Sequence, residues 1–432
     1  MTGSSGRYEA AGGWLLFLVA LLLPTAAVAL PHGASGLFTV TALFALGTLA
    51  RLPQRWHALS PAERWLVLAM LVFFLAPLAS LANADDLHEF WKRYDRHWRF
   101  LGFVPIFLLA RGLPQGWQPR LLRALLWGCV LAGPVALALG AYELAWLGKE
   151  RAEGAYHPIV FGDLTALYGL LLIAWAAAGR YPRRHRIAWG LAALPALAAS
   201  VSSGTRGAWL GVLAMLALLP LVLPRSRAGR MRVLALASVV GLAGGWLALQ
   251  VPMVASKVEE TLWWVGAYLS GFDAPSSSQA RFELWRLAWD LWRAHPWVGE
   301  GFGDFPAFVR AACRGELPYG VAWPLTHAHD VYLQFLATTG LVGFLALMWA
   351  TILAPLRLAG LGLRVGERTA AVLLLVFVTA FAVFGLTEDW TARSPFTAAY
   401  SVLLALLAAA SAAATATHRH RGRPPGSAAR GA

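Results

Sequence analysis

The chain has 432 residues, 58% of them hydrophobic and only 13% charged, with a mean hydropathy of +0.58. Soluble domains carry roughly 25% charged residues, so this composition excludes an ordinary soluble enzyme and belongs to the membrane class. The net charge of +14 invites a nucleic-acid partner, but the basic residues lie dispersed in short loops between apolar runs and form no binding stripe.

The polar stretch Met1–Glu9 holds one arginine, and no small-residue cleavage site follows the first apolar run, so Gly13–Leu30 reads as a retained span and not a signal peptide. Further runs, among them Leu66–Leu81, Leu121–Leu147, Val160–Ala178 and Val331–Leu353, approach the ~20 residues that cross a hydrocarbon core. They lack the alternation of barrel strands, and only helices satisfy their own backbone in lipid. The fold class is therefore all-α: a polytopic membrane protein of about twelve helices with one large helical loop. The predicted spans are 13–30, 35–50, 64–82, 98–111, 120–147, 158–179, 186–201, 206–223, 231–250, 328–354, 369–387 and 395–416. This divides the chain into spans one to nine (1–250), an outer loop (251–327), spans ten to twelve (328–416) and a basic tail (417–432).

Alternate loops, with both termini, hold 22 of the 36 basic residues and three acids, Glu9, Glu63 and Glu367; the opposite side has 14 basic and 19 acidic residues. By the positive-inside rule, the first set and both ends are cytoplasmic. The long loop is thus on the other side. Its stretches Val258–Leu269 and Gln279–Ala294 are helical in pattern, and Trp285, Trp289 and Trp292 share one face. Such a face either anchors the loop at the headgroups or also lines a path for a lipid-borne substrate. Cys129 lies in a span and Cys313 in the polar loop, which leaves no disulfide between them.

Three outer clusters carry chemistry. In Ser202-Ser203-Gly204-Thr205-Arg206-Gly207, a glycine turn opens a span whose helix N-terminus favours anions. Arg206 adds a planar fork of donors for phosphate; the plain alternative is an arginine snorkelling at the membrane edge. Arg281 heads the Trp-rich helix, with Arg286 a weaker companion, and Gly299–Gly303 reads as a structural turn because it lacks the Lys-Ser/Thr of a phosphate loop. Last, Thr326-His327-Ala328-His329-Asp330 opens the tenth span, followed by Gly340 and Gly343. On a helix, positions i and i+2 lie about 200° apart, so His327 and His329 could share a metal only if the segment were extended; no metal is expected. A boundary histidine suits general-base work instead. His157, opening the sixth span, either meets sugar or ends a loop, and Glu388, Asp389 and Arg393 are candidate acceptor contacts with no local pattern to decide it.

Together the S-S-G-T-R-G-A-W turn, the segment from Arg281 to Gly303, and His329-Asp330-x9-Gly340-x2-Gly343 resemble the O-antigen ligase/polymerase superfamily of bacterial inner-membrane proteins. Family ligases usually carry Asn, Ser or Gln where this chain has Asp330. The resemblance implies transfer of a glycan from undecaprenyl diphosphate to the lipid A-core on the periplasmic face. Arg206 and Arg281 would hold the diphosphate and His329 would take the acceptor hydroxyl's proton, with Asp330, His327, His157 and Arg286 as supporting residues. Such an inverting displacement needs neither nucleotide nor metal, and no cofactor is expected. The rivals are an O-antigen polymerase, a protein O-oligosaccharyltransferase and, outside the enzymes, a transporter or flippase. Transporters place ionisable groups at mid-membrane, whereas the notable polar residues here lie at outer span ends.

Overall fold

The computed structural model describes all residues except Met1, Arg180, 224–225, 271–276, 316–325, 366–367 and 422–432; most of the tail expected at 417–432 therefore lies outside the described residues. Eighteen helices follow one another, with no strand among the described residues. The first nine are α1 (Thr2–Ala29), α2 (Gly33–Ala45), α3 (Leu52–Ala58), α4 (Pro61–Leu75), α5 (Leu87–Arg111), α6 (Trp117–Ala145), α7 (Pro158–Ala178), α8 (Arg183–Ala192) and α9 (Leu194–Ser202). Then come α10 (Arg206–Val222), α11 (Arg227–Leu249), α12 (Pro252–Leu269), α13 (Ser277–Ala294), α14 (Phe305–Cys313), α15 (Val331–Met348), α16 (Ala354–Arg364), α17 (Arg368–Phe384) and α18 (Ser394–Arg421). Each of the twelve expected spans falls on helix. Seven helical segments are long and apolar enough to cross a membrane, and two shorter apolar helices, Arg206–Pro220 and Arg368–Phe384, accompany them.

Local chemistry sets the helix starts. Ser60 and Glu63 form a capping box ahead of Pro61, Asp86 caps α5 by accepting from Glu89 N, and Asp330 caps α15 by accepting from Leu333 N at 2.8 Å. The most enclosed spans are those of α7 and α18, 89% and 94% buried against at most 56% for the other five. These two are the centre of the bundle. The alanines of both, with Gly162 and Gly169 of α7, allow close helix approach, the usual route to packing in lipid where no hydrophobic drive is available.

The long loop is fastened to the bundle at a break in α15. Gly340 has φ +60° and ψ −161° inside that helix, a backbone state that glycine adopts freely. The break frees backbone groups, and the loop segment 296–301 takes them up. Leu341 N donates to Pro296 O and Val342 N to Trp297 O, while Glu300 N and Gly301 N donate to Ala337 O and Thr338 O. These four bonds pair backbone groups that burial in a membrane would otherwise leave at a cost. A Cβ on Gly340 would lie 2.3 Å from Trp297 C, and one on Gly299 2.3 Å from Thr338 C. The Gly299–Gly303 stretch is thus the structural turn expected. Beside it, Leu284, Leu287, Leu291, Phe305, Val309 and Ala337 form a small second core joining α13, α14 and α15.

Candidate active site

The segment 326–330 is not helical. His329 has φ +51°, an uncommon state for a residue with a side chain and one that clusters at functional sites. The helical objection to a shared ligand set for His327 and His329 therefore fails, because α15 begins only after Asp330. Their rings lie 4.0 Å apart, and both face Glu388, a fully buried carboxylate in the turn between α17 and α18. His329 Nδ1 is 3.0 Å from Glu388 Oε2, and His327 Nε2 is 3.4 Å from Oε1. Nδ1 thus carries the hydrogen toward the carboxylate, and Nε2 makes no hydrogen bond among the described residues.

The ligand atoms of His327, His329 and Glu388 lie within 4.8 Å of one another, close enough to converge on one ion. Yet Arg393 Nε donates to the same Glu388 oxygen as His327 at 3.1 Å, and its Nη2 is 3.5 Å from His327 Nε2. A fixed guanidinium already supplies the positive charge there, which favours a hydrogen-bonded histidine–carboxylate pair over a metal site. Burial would raise Glu388, but His327, His329 and Arg393 hold it well below the ordinary carboxylate range. Burial pushes His327 down to about 3, so the ring is neutral at neutral pH. Burial likewise pushes Asp330 up, to about 6. Its side chain caps the helix by accepting from Leu333 N.

The cationic half of the site is a cavity of about 130 Å³ lined by Arg151, Arg206, Lys257, Arg281, Ile159 and Thr387, with the Gly204–Gly207 turn. Gly204, at φ +62°, reverses the chain there. Ser200 Oγ and Thr205 Oγ1 fasten the turn to α7 through Gly162 O and Pro158 O. Arg206 is the first residue of α10, donates to Thr261 Oγ1 on α12 and lines the cavity. Arg281 comes from α13 across the cavity and makes no hydrogen bond or ion pair among the described residues. Burial, then the charge of Arg206, push Arg281 below the usual guanidinium value; arginine remains charged regardless. Arg151, equally depressed by burial and by Arg206, donates to Ser203 O at 2.7 Å. A larger cavity of about 360 Å³ at the opposite end has its Arg55 and Arg111 already paired with Glu9 and Glu63.

The structure thus brings together Arg206 and Arg281 on one side and His327 and His329 on the other. His157 caps α7, its Nδ1 accepting from Ile159 N at 3.2 Å. It lies within the electrostatic reach of Arg393, Glu388, Arg151 and His329, and burial lowers it to about 4. Arg286 is exposed and absent from the cavity lining, which sets it apart from the site. Sequence reading missed Arg151, Lys257 and the role of Glu388, which no local pattern marks. It also passed over Asp163, a fully buried carboxyl of α7 near Glu388 and Arg281.

The O-antigen ligase family model matches residues 191–348. The match supports the O-antigen ligase/polymerase superfamily. It takes in Arg206, Lys257, Arg281, His329 and Gly340, while Arg151, Ile159, Thr387 and Glu388 lie outside it. A protein of Haemophilus influenzae, described as uncharacterized, is 22% identical over 319 residues, covering 73% of this chain and 77% of its own.

Proposed function

We propose that this chain is an O-antigen ligase that moves a glycan from undecaprenyl diphosphate to a sugar hydroxyl of lipid A-core. The supporting observation is His329, fixed through Nδ1 by a buried Glu388 and set beside a cavity lined by four cationic side chains. In this reading Arg151, Arg206, Lys257 and Arg281 hold the diphosphate, where preorganised cations gain most as the leaving group develops charge. His329 Nε2 takes the proton of the attacking hydroxyl, the acceptor oxygen bonds to the anomeric carbon, and the bond to the diphosphate oxygen breaks. One displacement inverts the anomeric centre. Glu388 holds the imidazole in its working tautomer and stabilises the imidazolium that forms. The site faces the periplasm of a bacterial inner membrane, with both termini cytoplasmic, and it requires no divalent ion.

The test is transfer by purified protein with lipid-linked donor and lipid A-core acceptor. His329→Ala, with an unchanged melting profile, should lose about 10²–10⁴-fold in rate, and EDTA should leave wild-type rates intact. A near-wild-type rate for that variant would end the base assignment. In cells lacking the gene, loss of long-chain lipopolysaccharide with lipid-linked polymer accumulating supports the ligase. Single-repeat material on the core would indicate a polymerase.

A further inference from the structure

A second group of cations, outside the cavity lining, lies on α5 against the turn at 389–393. Arg96 Nη1 donates to Ala392 O at 3.3 Å, and Arg99 Nη1 donates to Arg96 O at 3.2 Å. Arg99 is only 9% exposed, and its Nε is buried without a hydrogen-bond partner. Among the described residues neither Arg96 nor Arg99 makes an ion pair.

Two acids, Asp389 and Asp95, act on this group, and Glu388 lies next to Asp389 in the chain. Asp389 is claimed by Arg93 and by Thr391 Oγ1, and Glu388 by Arg393 and the two histidines. Asp95 is the helix neighbour that acts on Arg96 and Arg99 at longer range. Neither arginine has an ion-pair partner of its own, and an unpaired charge at a membrane boundary points to function. They are also continuous with the site: Arg393 acts on both Arg96 and His157, and Tyr156 on Arg99.

Displacement with inversion requires the attacking hydroxyl to enter opposite the departing diphosphate. With the cavity assigned to the diphosphate, Arg96 and Arg99, outside its lining, are the cations left for the acceptor. We propose that Arg96 and Arg99 form an anion subsite for the acceptor, binding a phosphate or carboxylate substituent of its sugars between α5 and the loops at 155–157 and 389–393. The planar guanidinium fork suits both groups. Trp91, 51% exposed two turns up the same helix, provides an interfacial anchor for a lipid-borne acceptor. This rests on the transfer reading above.

The experiment measures transfer in zwitterionic nanodiscs as a function of acceptor concentration, for wild type, Arg96→Gln and Arg96→Gln/Arg99→Gln. Acceptor KM should rise about tenfold or more in the double variant, the change expected on losing one charge-assisted contact, while donor KM moves much less. Arg96→Lys should recover part of the loss. Because Arg99 is buried, the single Arg96 variant, checked by its melting profile, carries the conclusion if the double variant does not fold. Removing the acceptor's phosphates, or separately reducing its carboxyls, should raise wild-type KM and abolish the wild-type–variant gap for whichever group is bound. The subsite is overturned if both modified acceptors leave the gap intact, if acceptor KM is unchanged in the variants, or if the gap appears only when anionic phospholipid is added to the nanodiscs. If the wild type transfers to no lipid-borne saccharide, the ligase reading itself fails.

Discussion

Glu388 and His329 are 59 residues apart in sequence and 3.0 Å apart in space, and their pairing is the residue-scale core of the mechanism proposed here. A carboxylate on Nδ1 both fixes the tautomer and stabilises the charged ring; an amide can only do the first. Glu388→Gln should therefore lower kcat within about the 10²–10⁴-fold range of general-base help, with donor KM little changed. Equal losses in kcat for Glu388→Gln and for a variant distant from the site would show that the effect is structural. His157 makes a separate prediction about pH. Its folded value of about 4 lies below the ordinary 6.5, so between these values the unfolded chain binds a proton that the folded chain refuses. Its contribution is complete above 6.5 and is lost as pH falls toward 4. His327 acts in the same sense, whereas Asp330, raised to about 6, acts in the opposite one. Comparing His157→Gln with wild type isolates the first term: the variant's melting temperature should fall less between pH 7 and pH 5. Arg206, Arg281 and His329 were legible because each sits in a local pattern. Glu388, Arg151 and Lys257 were not, because their neighbours in space come from other helices.

At the scale of the element, Gly340 converts a motif into a joint. The spacing from His329 to the paired glycines was legible as a family likeness, but its cause was not: nothing in Gly340-Leu341-Val342-Gly343 says that a distant loop will bond to the backbone it frees. The same holds at the start of α15, where the span expected from 328 becomes helix only at Val331 and leaves both histidines in a non-helical segment. Asp330 as the N-cap sets the boundary one residue after His329. Gly340→Val would force a side chain into a left-handed backbone and into Trp297. Strain of this kind costs of order 1–3 kcal/mol, and overpacking adds a similar amount. The melting temperature should drop, and protease should cut the loop 251–327 faster than in wild type. Unchanged melting and cleavage would mean that the break is not the loop's attachment.

For the whole molecule, composition and apolar runs were enough to read an all-α membrane bundle, and charge asymmetry gave it a direction. The number of crossings was less legible. Segments such as 98–111 and 186–201 are short, and in the structure they are the end of a longer polar-headed helix, α5, and a broken pair, α8 and α9. What distinguishes central from peripheral helices, as with α7 and α18, is packing, which hydropathy does not record.

The two native cysteines make the proposed orientation testable without altering the chain. Cys129 is buried in α6, and Cys313 is exposed at the end of α14, in the loop that charge counting places outside. A thiol reagent that cannot cross the inner membrane should label Cys313 in intact spheroplasts, since an exposed thiol with an ordinary environment reacts once reached. Cys129 should resist labelling until the protein is denatured. The opposite pattern for Cys313, with labelling only after the inner membrane is opened, would put the loop and with it Arg281 in the cytoplasm. The site could not then meet a glycan carried on the periplasmic leaflet, so one labelling experiment tests the topology on which the ligase reading depends.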